Sequence, residues 1–448
     1  MPSMVEPKVI PRAEHTLSRR DIDPDALKVL YRLRQSNHIA YLVGGSVRDL
    51  LLNRRPKDFD IGTSAHPNQV KKLFRNCWII GRRFRLAHVK FGDKVVEVAT
   101  FRRQVQVGEE VGPEGVPVPD PTTAEGERLL HRDNTFGTPE EDAFRRDFTI
   151  NALAYDISTF SIIDYVNGLD DLRAGIVRSI GDPHVRFQED PVRMLRAVAL
   201  SARLDFQIDE PIRDAIRVHR HLIATAAPPR LLEEYYKILR GGYAEKTFRI
   251  LAEAGLLEPI STELHHGADD RLWQSLAALD AYRHRFEAPP AALSNAMLLG
   301  TLLVPLGFSG DLPKPAAAGK RPAGPRLGQL PLARRDVERL SQFVILQRRL
   351  RDVSANERAK RAVTHRGIFP EALVWLEIHG QAPSLVEHWK AVFAERGTAA
   401  GVSGTDVPMP ADGAPTPGDH PPFKRRRRRR RGRRSGRSGG SGGTGAPP

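Results

Sequence analysis

Asp58 and Asp60 sit one residue apart, with Phe59 and Ile61 alternating against them. On a strand, residues two apart leave the same face, with Cα atoms about 6–7 Å apart. Two carboxylates so placed repel each other and favour a hard, oxygen-seeking cation, Mg²⁺, between them. Upstream lie Gly44 and Gly45, which allow a sharp turn and a close approach to a ligand. Ser46 falls where a helix N-cap belongs, and Arg48 adds a fork of charged donors in the first turn. Amides at such a helix start bind phosphate oxygens. A phosphate cradle facing a metal-binding strand is the equipment of phosphoryl or nucleotidyl transfer. That chemistry usually uses two Mg²⁺ ions, one activating the attacking hydroxyl and one neutralising the leaving pyrophosphate.

A third carboxylate would complete the site, and two candidates are open. Glu97 lies on an otherwise apolar strand, where an unpaired acid is costly. Asp147 follows Arg145 and Arg146, so it is either a metal ligand or the partner of an arginine. Arg145, Arg146, Phe148 and Asn151 make a candidate triphosphate and sugar contact. Further on, Asp190, Arg193 and Arg196 are spaced i, i+3, i+6 in an amphipathic stretch. On one helix they form a slanted row whose donors and acceptors suit a base edge; a surface ion-pair row is the plainer alternative. Arg82, Arg83 and Arg85 form a basic turn able to meet RNA phosphates.

The elements that must hold these residues follow from periodicity. Ile39 to Val43 reads as a strand, Val47 to Leu52 as a helix, and the Asp58–Ile61 stretch as a second strand. Helices are predicted over Asp23 to Gln35 and Pro67 to Phe74, and strands over 77–91 and 94–100. Residues 104–135 lack periodicity and read as a loop. Glu141 to Arg145 reads as helical, Asp164 to Leu172 as a turn-rich connector, and 189–205 as one amphipathic helix. From Leu231 to about Glu395 the pattern is mostly helical, with a loop over 309–330. The chain so read has a first irregular segment (1–22) and a disordered basic tail (397–448).

The chain has 448 residues, enough for roughly two to four domains. No apolar run of about 18 residues appears, so no membrane span is expected, and the N-terminus lacks an apolar signal core. The one cysteine, Cys77, excludes an internal disulfide and a cysteine-rich zinc site, which fits a cytoplasmic protein. The net charge of +15 is concentrated: residues 424–437 hold one Lys and ten Arg without an acid, leaving +4 elsewhere. Lys424, Arg425, Arg426, Arg427, Arg428, Arg429, Arg430 and Arg431 are candidate RNA contacts in that run.

Taken together, LVGGSVRDLLL, KDFD, GRRFRLAHVKF, VVEVATFRR, EEDAFRRDFTINALAYD and EDPVRMLRAV resemble the bacterial poly(A) polymerase family. That family belongs to the class II nucleotidyltransferases, which include the tRNA CCA-adding enzymes. The resemblance runs from about Val9 to about Ile260. It implies an α+β fold: a small mixed-sheet head (23–165) with helices on one side, then a helical neck (166–240) and a helical body (241–396). It also implies that Asp58 and Asp60 bind catalytic metals, that Asp147 is a further active-site acid, and that Glu97 stands beside the metal-binding pair. Gly44, Gly45, Ser46, Arg48, Arg146, Asn151, Asp190, Arg193 and Arg196 are the nucleotide contacts expected. The implied reaction is ATP-dependent, Mg²⁺-dependent adenylation of RNA 3′ ends by a monomer, with RNA-decay proteins as partners. A CCA-adding enzyme and a non-catalytic RNA-binding adaptor are the alternatives. One position departs: the family usually has Arg three residues after Arg196, where this chain has Ala199, so strict selectivity for ATP does not follow.

Overall fold

Short apolar runs with alternating burial build an eight-stranded mixed sheet. The structure, a computed structural model, describes residues 6–81, 85–103, 135–312 and 325–401. The strands are β1 (Lys8–Ile10), β2 (Ala40–Val43), β3 (Asp60–Thr63), β4 (Cys77–Ile80), β5 (Leu86–Phe91), β6 (Lys94–Thr100), β7 (Ala154–Asp156) and β8 (Ser161–Asp164). Across the sheet they run β1-β8-β7-β2-β3-β6-β5-β4. β3 and β6 pair in parallel, and the other neighbours pair antiparallel.

One face of the sheet carries the core. Leu42, Ile61, Ala87, Val89 and Val98 are buried in one cluster with the helices Pro24–Gln35 and Pro67–Leu73. The first of these helices starts where its sequence says it should. Asp23 Oδ1 accepts from the amides of Asp25 and Ala26, and Pro24 needs no partner for its nitrogen. Ala26, Val29, Leu30 and Leu33 then form its buried stripe. Each such larger aliphatic side chain contributes about 1.5–3 kcal/mol when fully buried. On the opposite face, Val43, Ala154 and Ile163 pack with Tyr41 and Tyr165 in a small separate cluster.

Several sequence expectations change. The first segment is not irregular throughout: Lys8–Ile10 pairs with β8 and adds an edge to the sheet. The connector after β8 contains a helix, Gly168–Ala174, entered at Asn167 in the left-handed region and held by Asp164, which accepts from Gly168 and Leu169 amides. The stretch 189–205 is not one helix. Pro183–Glu189 ends before Asp190, which is extended, and Val192–Leu204 starts afresh after Pro191. Proline fixes its own φ and biases the residue before it away from helical backbone, so the break falls there. Beyond it the described chain is almost wholly helical, and Phe248, Leu276, Leu299, Phe343 and Trp375 lie in the same buried cluster as the sheet core. By contact, the chain up to Glu395 groups as one compact unit. The loops read over 104–135 and 309–330 lie mostly outside the described residues, as does nearly all of 397–448.

Candidate active site

The glycine turn is built as a cradle, but its parts differ from the sequence reading. Gly44 takes φ +77° and ψ −140°, and the helix is Gly45–Leu51. Gly44, not Ser46, holds the N-cap position; Ser46 is the buried second residue of the helix and donates from Oγ to the Val43 carbonyl at 3.0 Å. The amides of Gly45, Ser46 and Val47 open the helix and have no intrahelical acceptor. A Cβ at Gly44 would stand 3.0 Å from Arg146 Nη1, so glycine lets that guanidinium lie over the turn. Gly44→Ala is expected to cost about 1–3 kcal/mol of stability through backbone strain alone and to push Arg146 aside. A urea midpoint measured beside nucleotide affinity checks both effects.

Arg48 is also placed differently. It is buried, and its Nε and Nη2 donate to Asp49 Oδ1 at 2.9 and 2.7 Å while Nη1 meets Asn151 Oδ1. Burial lowers its pKa, and the adjacent Asp49 opposes that shift. A buried charge needs partners, so Arg48 props the turn from beneath instead of presenting a fork to a ligand. Arg203 completes the support from the helix Val192–Leu204, donating to Asp49 Oδ2 at 2.5 Å. Arg146 is the arginine beside the turn. Its Nη1 donates to the Asn151 carbonyl at 3.2 Å, and Asp142 accepts from Nη2 at 3.0 Å.

The acids gather at the neighbouring strand end. Asp60 is the first residue of β3 and pairs with Val43, the residue before the turn. Asp58 precedes the strand and is exposed, with Lys57 Nζ 3.6 Å from its carboxylate. Ile61 pairs with Val98 in the parallel β3–β6 ladder, which brings Asp60 beside Glu97 one step earlier. Glu97 is half exposed and lies 3.5 Å from His88 Nε2. The Asp60 carboxyl is pushed up to about 6, first by desolvation among surrounding protein atoms, then by Glu97, with Asp58 adding to the rise and Arg146 opposing it. Asp60 is itself exposed, so solvent screens part of this effect. Among the described residues, no three His, Cys, Asp or Glu side chains stand ready to hold a metal between them. Asp58, Asp60 and Glu97 nevertheless fit Mg²⁺ in donor chemistry. All their donors are carboxylate oxygens, their mutual repulsion is what a cation relieves, and Mg²⁺ commonly takes one or two carboxylates plus water and phosphate oxygens.

Asp147 belongs to a different group. Arg193 Nε donates to its Oδ1 at 2.9 Å, and Arg196 Nη1 lies 2.5 Å from Oδ2. It is an ion-pair anchor for the helix Val192–Leu204. Arg193 also donates to Glu189 and to the Arg186 carbonyl, at 3.0 and 2.8 Å. Arg186 in turn caps the carbonyls of Arg145 and Arg146, at 2.8 and 2.7 Å. Asp190 is off the helix and receives a two-pronged bond from Arg230, at 2.8 and 2.5 Å. The expected row of three is therefore two helical arginines on one acid, with Asp190 paired to a different helix, Pro228–Gly241.

The structure thus brings together Gly44, Gly45, Ser46, Arg48, Arg146 and Asn151 around the turn, and Asp58, Asp60 and Glu97 beside it. Asp147, Arg193 and Arg196 form a second group. Arg85 is exposed before β5, whereas Arg82, Arg83 and Lys424–Arg431 lie outside the described residues. Sequence reasoning missed Asp49, Asp142, Arg186, Arg203 and Arg230. Asp142 stands four residues before Arg146, a helical ion-pair spacing that could have found it. Asp49 directly follows Arg48, yet adjacency alone does not mark a buried pair; the partnerships of Arg186, Arg203 and Arg230 join residues about 40 or more positions apart, and no local pattern signals them.

Residues 40–178 match the family described as "Poly A polymerase head domain", and residues 205–267 match "Probable RNA and SrmB- binding site of polymerase A". Poly(A) polymerase I of Escherichia coli O6:H1 is 50% identical over 254 residues, covering 56% of this chain and 53% of that protein. A CCA-adding enzyme of Lactobacillus helveticus is 38% identical over 240 residues, covering 54% and 56%. The chain spans about half the length of the curated relatives it matches. Among solved structures, the Bacillus stearothermophilus CCA-adding enzyme in complex with CTP is similar in fold, with TM-score 0.53 and 24% identity over 84% of this chain and 83% of that one. Acid cluster, glycine turn and matched segment coincide: Gly44, Gly45, Asp58, Asp60 and Glu97 all fall within residues 40–178, the stretch that matches the poly A polymerase head domain.

Proposed function

We propose that the protein is a template-independent polynucleotide adenylyltransferase that transfers AMP from ATP to RNA 3′ ends. The observation that carries this reading is the placement of Asp60, which pairs with Val43 just before the Gly44 turn and, through the parallel β3–β6 register, lies beside Glu97. Acids kept together against their own repulsion, beside open helix amides, suit a cation and a triphosphate. The high identity to poly(A) polymerases supports adenylation, and the relation to CCA-adding enzymes supports the class of reaction.

In the reaction, the RNA 3′ oxygen forms a bond to the α-phosphorus, the bond from that phosphorus to the bridging oxygen breaks as pyrophosphate leaves, and the hydroxyl proton passes to solvent. Asp58, Asp60 and Glu97 would hold Mg²⁺, which supplies charge neutralisation at the phosphates and acidifies the attacking hydroxyl. The amides of Gly45, Ser46 and Val47 and the guanidinium of Arg146 bind phosphate oxygens. Arg48 and Asn151 keep Arg146 and the turn in place. Asp190, set by Arg230, meets the base edge. Arg193, Arg196 and Asp147 tie the head to the helix that follows. The head (23–165), neck (166–240) and body (241–396) divisions, a cytoplasmic monomer, and RNA capture by Arg82, Arg83, Arg85 and the arginine tail belong to the same reading.

The test incubates the full chain with a generic RNA and each nucleoside triphosphate singly, with and without Mg²⁺. Repeated AMP addition that stops on chelation is the expected result. Addition of CMP and AMP to tRNA alone, as Ala199 in place of the usual Arg allows, would assign the CCA reaction instead. No transfer with any nucleotide would leave the non-catalytic adaptor.

A further inference from the structure

The acids stand at one end of a lateral row of side chains that continues to the edge of the sheet. Glu97 pairs with His88 across β6 and β5, and His88 pairs with Trp78 across β5 and β4. Laterally paired residues point to the same face of a sheet. Asp60, Glu97, His88 and Trp78 therefore share the face opposite the core, since Ile61, Val98 and Ala87 between them are buried. Three strand spacings separate Asp60 from Trp78, about 14 Å.

The far end of that row is unlike an ordinary surface. Trp78, Ile80 and Val95 are 52%, 50% and 47% exposed, and Trp78 and Ile80 lie on the edge strand. Exposed Lys90, which pairs with Val95, stands on the same face. An exposed indole on the same face as an exposed lysine and the acids Asp60 and Glu97 suits a chain that has both π-faces and phosphates.

We propose that this face, with Trp78 as its stacking platform, holds the single-stranded segment of RNA just upstream of the reacting 3′ end. The inference deepens the transferase reading and rests on it for the direction of the strand. Continuity with the acid row supports this occupant, because the 3′ hydroxyl must arrive at Asp60 while the bases behind it need a surface. Charge complementarity supports it as well: Lys90 meets a phosphate, and Trp78 meets a base. Stacking tolerates any base, so this contact adds affinity without sequence preference.

The experiment uses the full chain and a short oligoadenylate. Tryptophan emission is titrated without ATP, and KM for RNA and for ATP is measured with it. Of the four tryptophans, Trp375 and Trp389 are buried. Oligoadenylate should quench the wild type. W78F should keep its RNA affinity and lose most of the quench. W78A should raise KM for RNA roughly tenfold, within the range for removing one stacked base, and leave KM for ATP unchanged. An unchanged KM for RNA in W78A, or a quench that survives in W78F, overturns the proposal. So does a change confined to self-association or to binding of a protein strand along β4. Quenching by RNA in a protein that transfers no nucleotide would fail the transferase reading and leave the RNA surface standing. Transfer by a W78A protein with wild-type KM for RNA would do the reverse.

Discussion

Asp60→Asn is expected to abolish nucleotide transfer and, without divalent cation, to raise the melting temperature. The amide keeps the shape and removes one of the mutually repelling charges. Loss of one charge-stabilising group typically costs about 3–4 kcal/mol in the transition state. The stability effect has a defined pH window. The folded carboxyl is raised from 3.8 to about 6, so its protonation favours the fold below 3.8, and that contribution is lost as pH rises through about 6. The gain from Asp60→Asn should thus be small at the acid end, grow across that window and stay level above it. Mg²⁺ should raise the wild-type melting temperature and do much less for the variant. A variant that incorporates AMP normally, or one that melts below the wild type without cation at neutral pH, would sink the assignment of Asp60.

Arg193→Ala should be among the most damaging single changes outside the acid cluster. It removes a guanidinium that bonds Asp147, Glu189 and the Arg186 carbonyl at once, and Arg193 and Asp147 are 13% and 11% exposed. Stranding a partly buried carboxylate costs about 3–5 kcal/mol, with Arg196 left to offset part of it. Arg193→Lys should recover little, because one ammonium cannot make the fork. A denaturant midpoint within a few tenths of a molar of wild type would show that the network contributes little. The same geometry makes Arg193 a poor probe of base choice, since any change there disturbs the packing of the helix Val192–Leu204. Asp190 is the cleaner probe. Its partner Arg230 is 45% exposed, so Asp190→Ala should fold and should shift the ratio of ATP to CTP incorporation. By analogy with direct readout of base edges, the shift is about 1–3 kcal/mol. Equal slowing with both nucleotides would give Asp190 a structural role.

The sequence by itself determined the elements whose cause is local. Asp23 and Pro24 start a helix and a 3.6-residue apolar period carries it to Gln35, as observed. The strand over 94–100 was legible from its composition and is Lys94–Thr100. The glycine pair and the two aspartates were legible as chemistry, because their residue types and spacing are uncommon together. The sheet's full width was not, because Lys8–Ile10 becomes a strand through pairing with a partner more than 150 residues away. Spacing left the third acid open between Glu97 and Asp147. The parallel register of β3 on β6 puts Glu97 beside Asp60, and Arg193 and Arg196 pair with Asp147. Burial turned Arg48 inward to Asp49, and a bond across 40 residues gave Asp190 to Arg230. Local periodicity encodes which residues share a face of one element. Which faces then meet is set by burying the core as a whole, and that fixed the lateral neighbours of every charged group in the site.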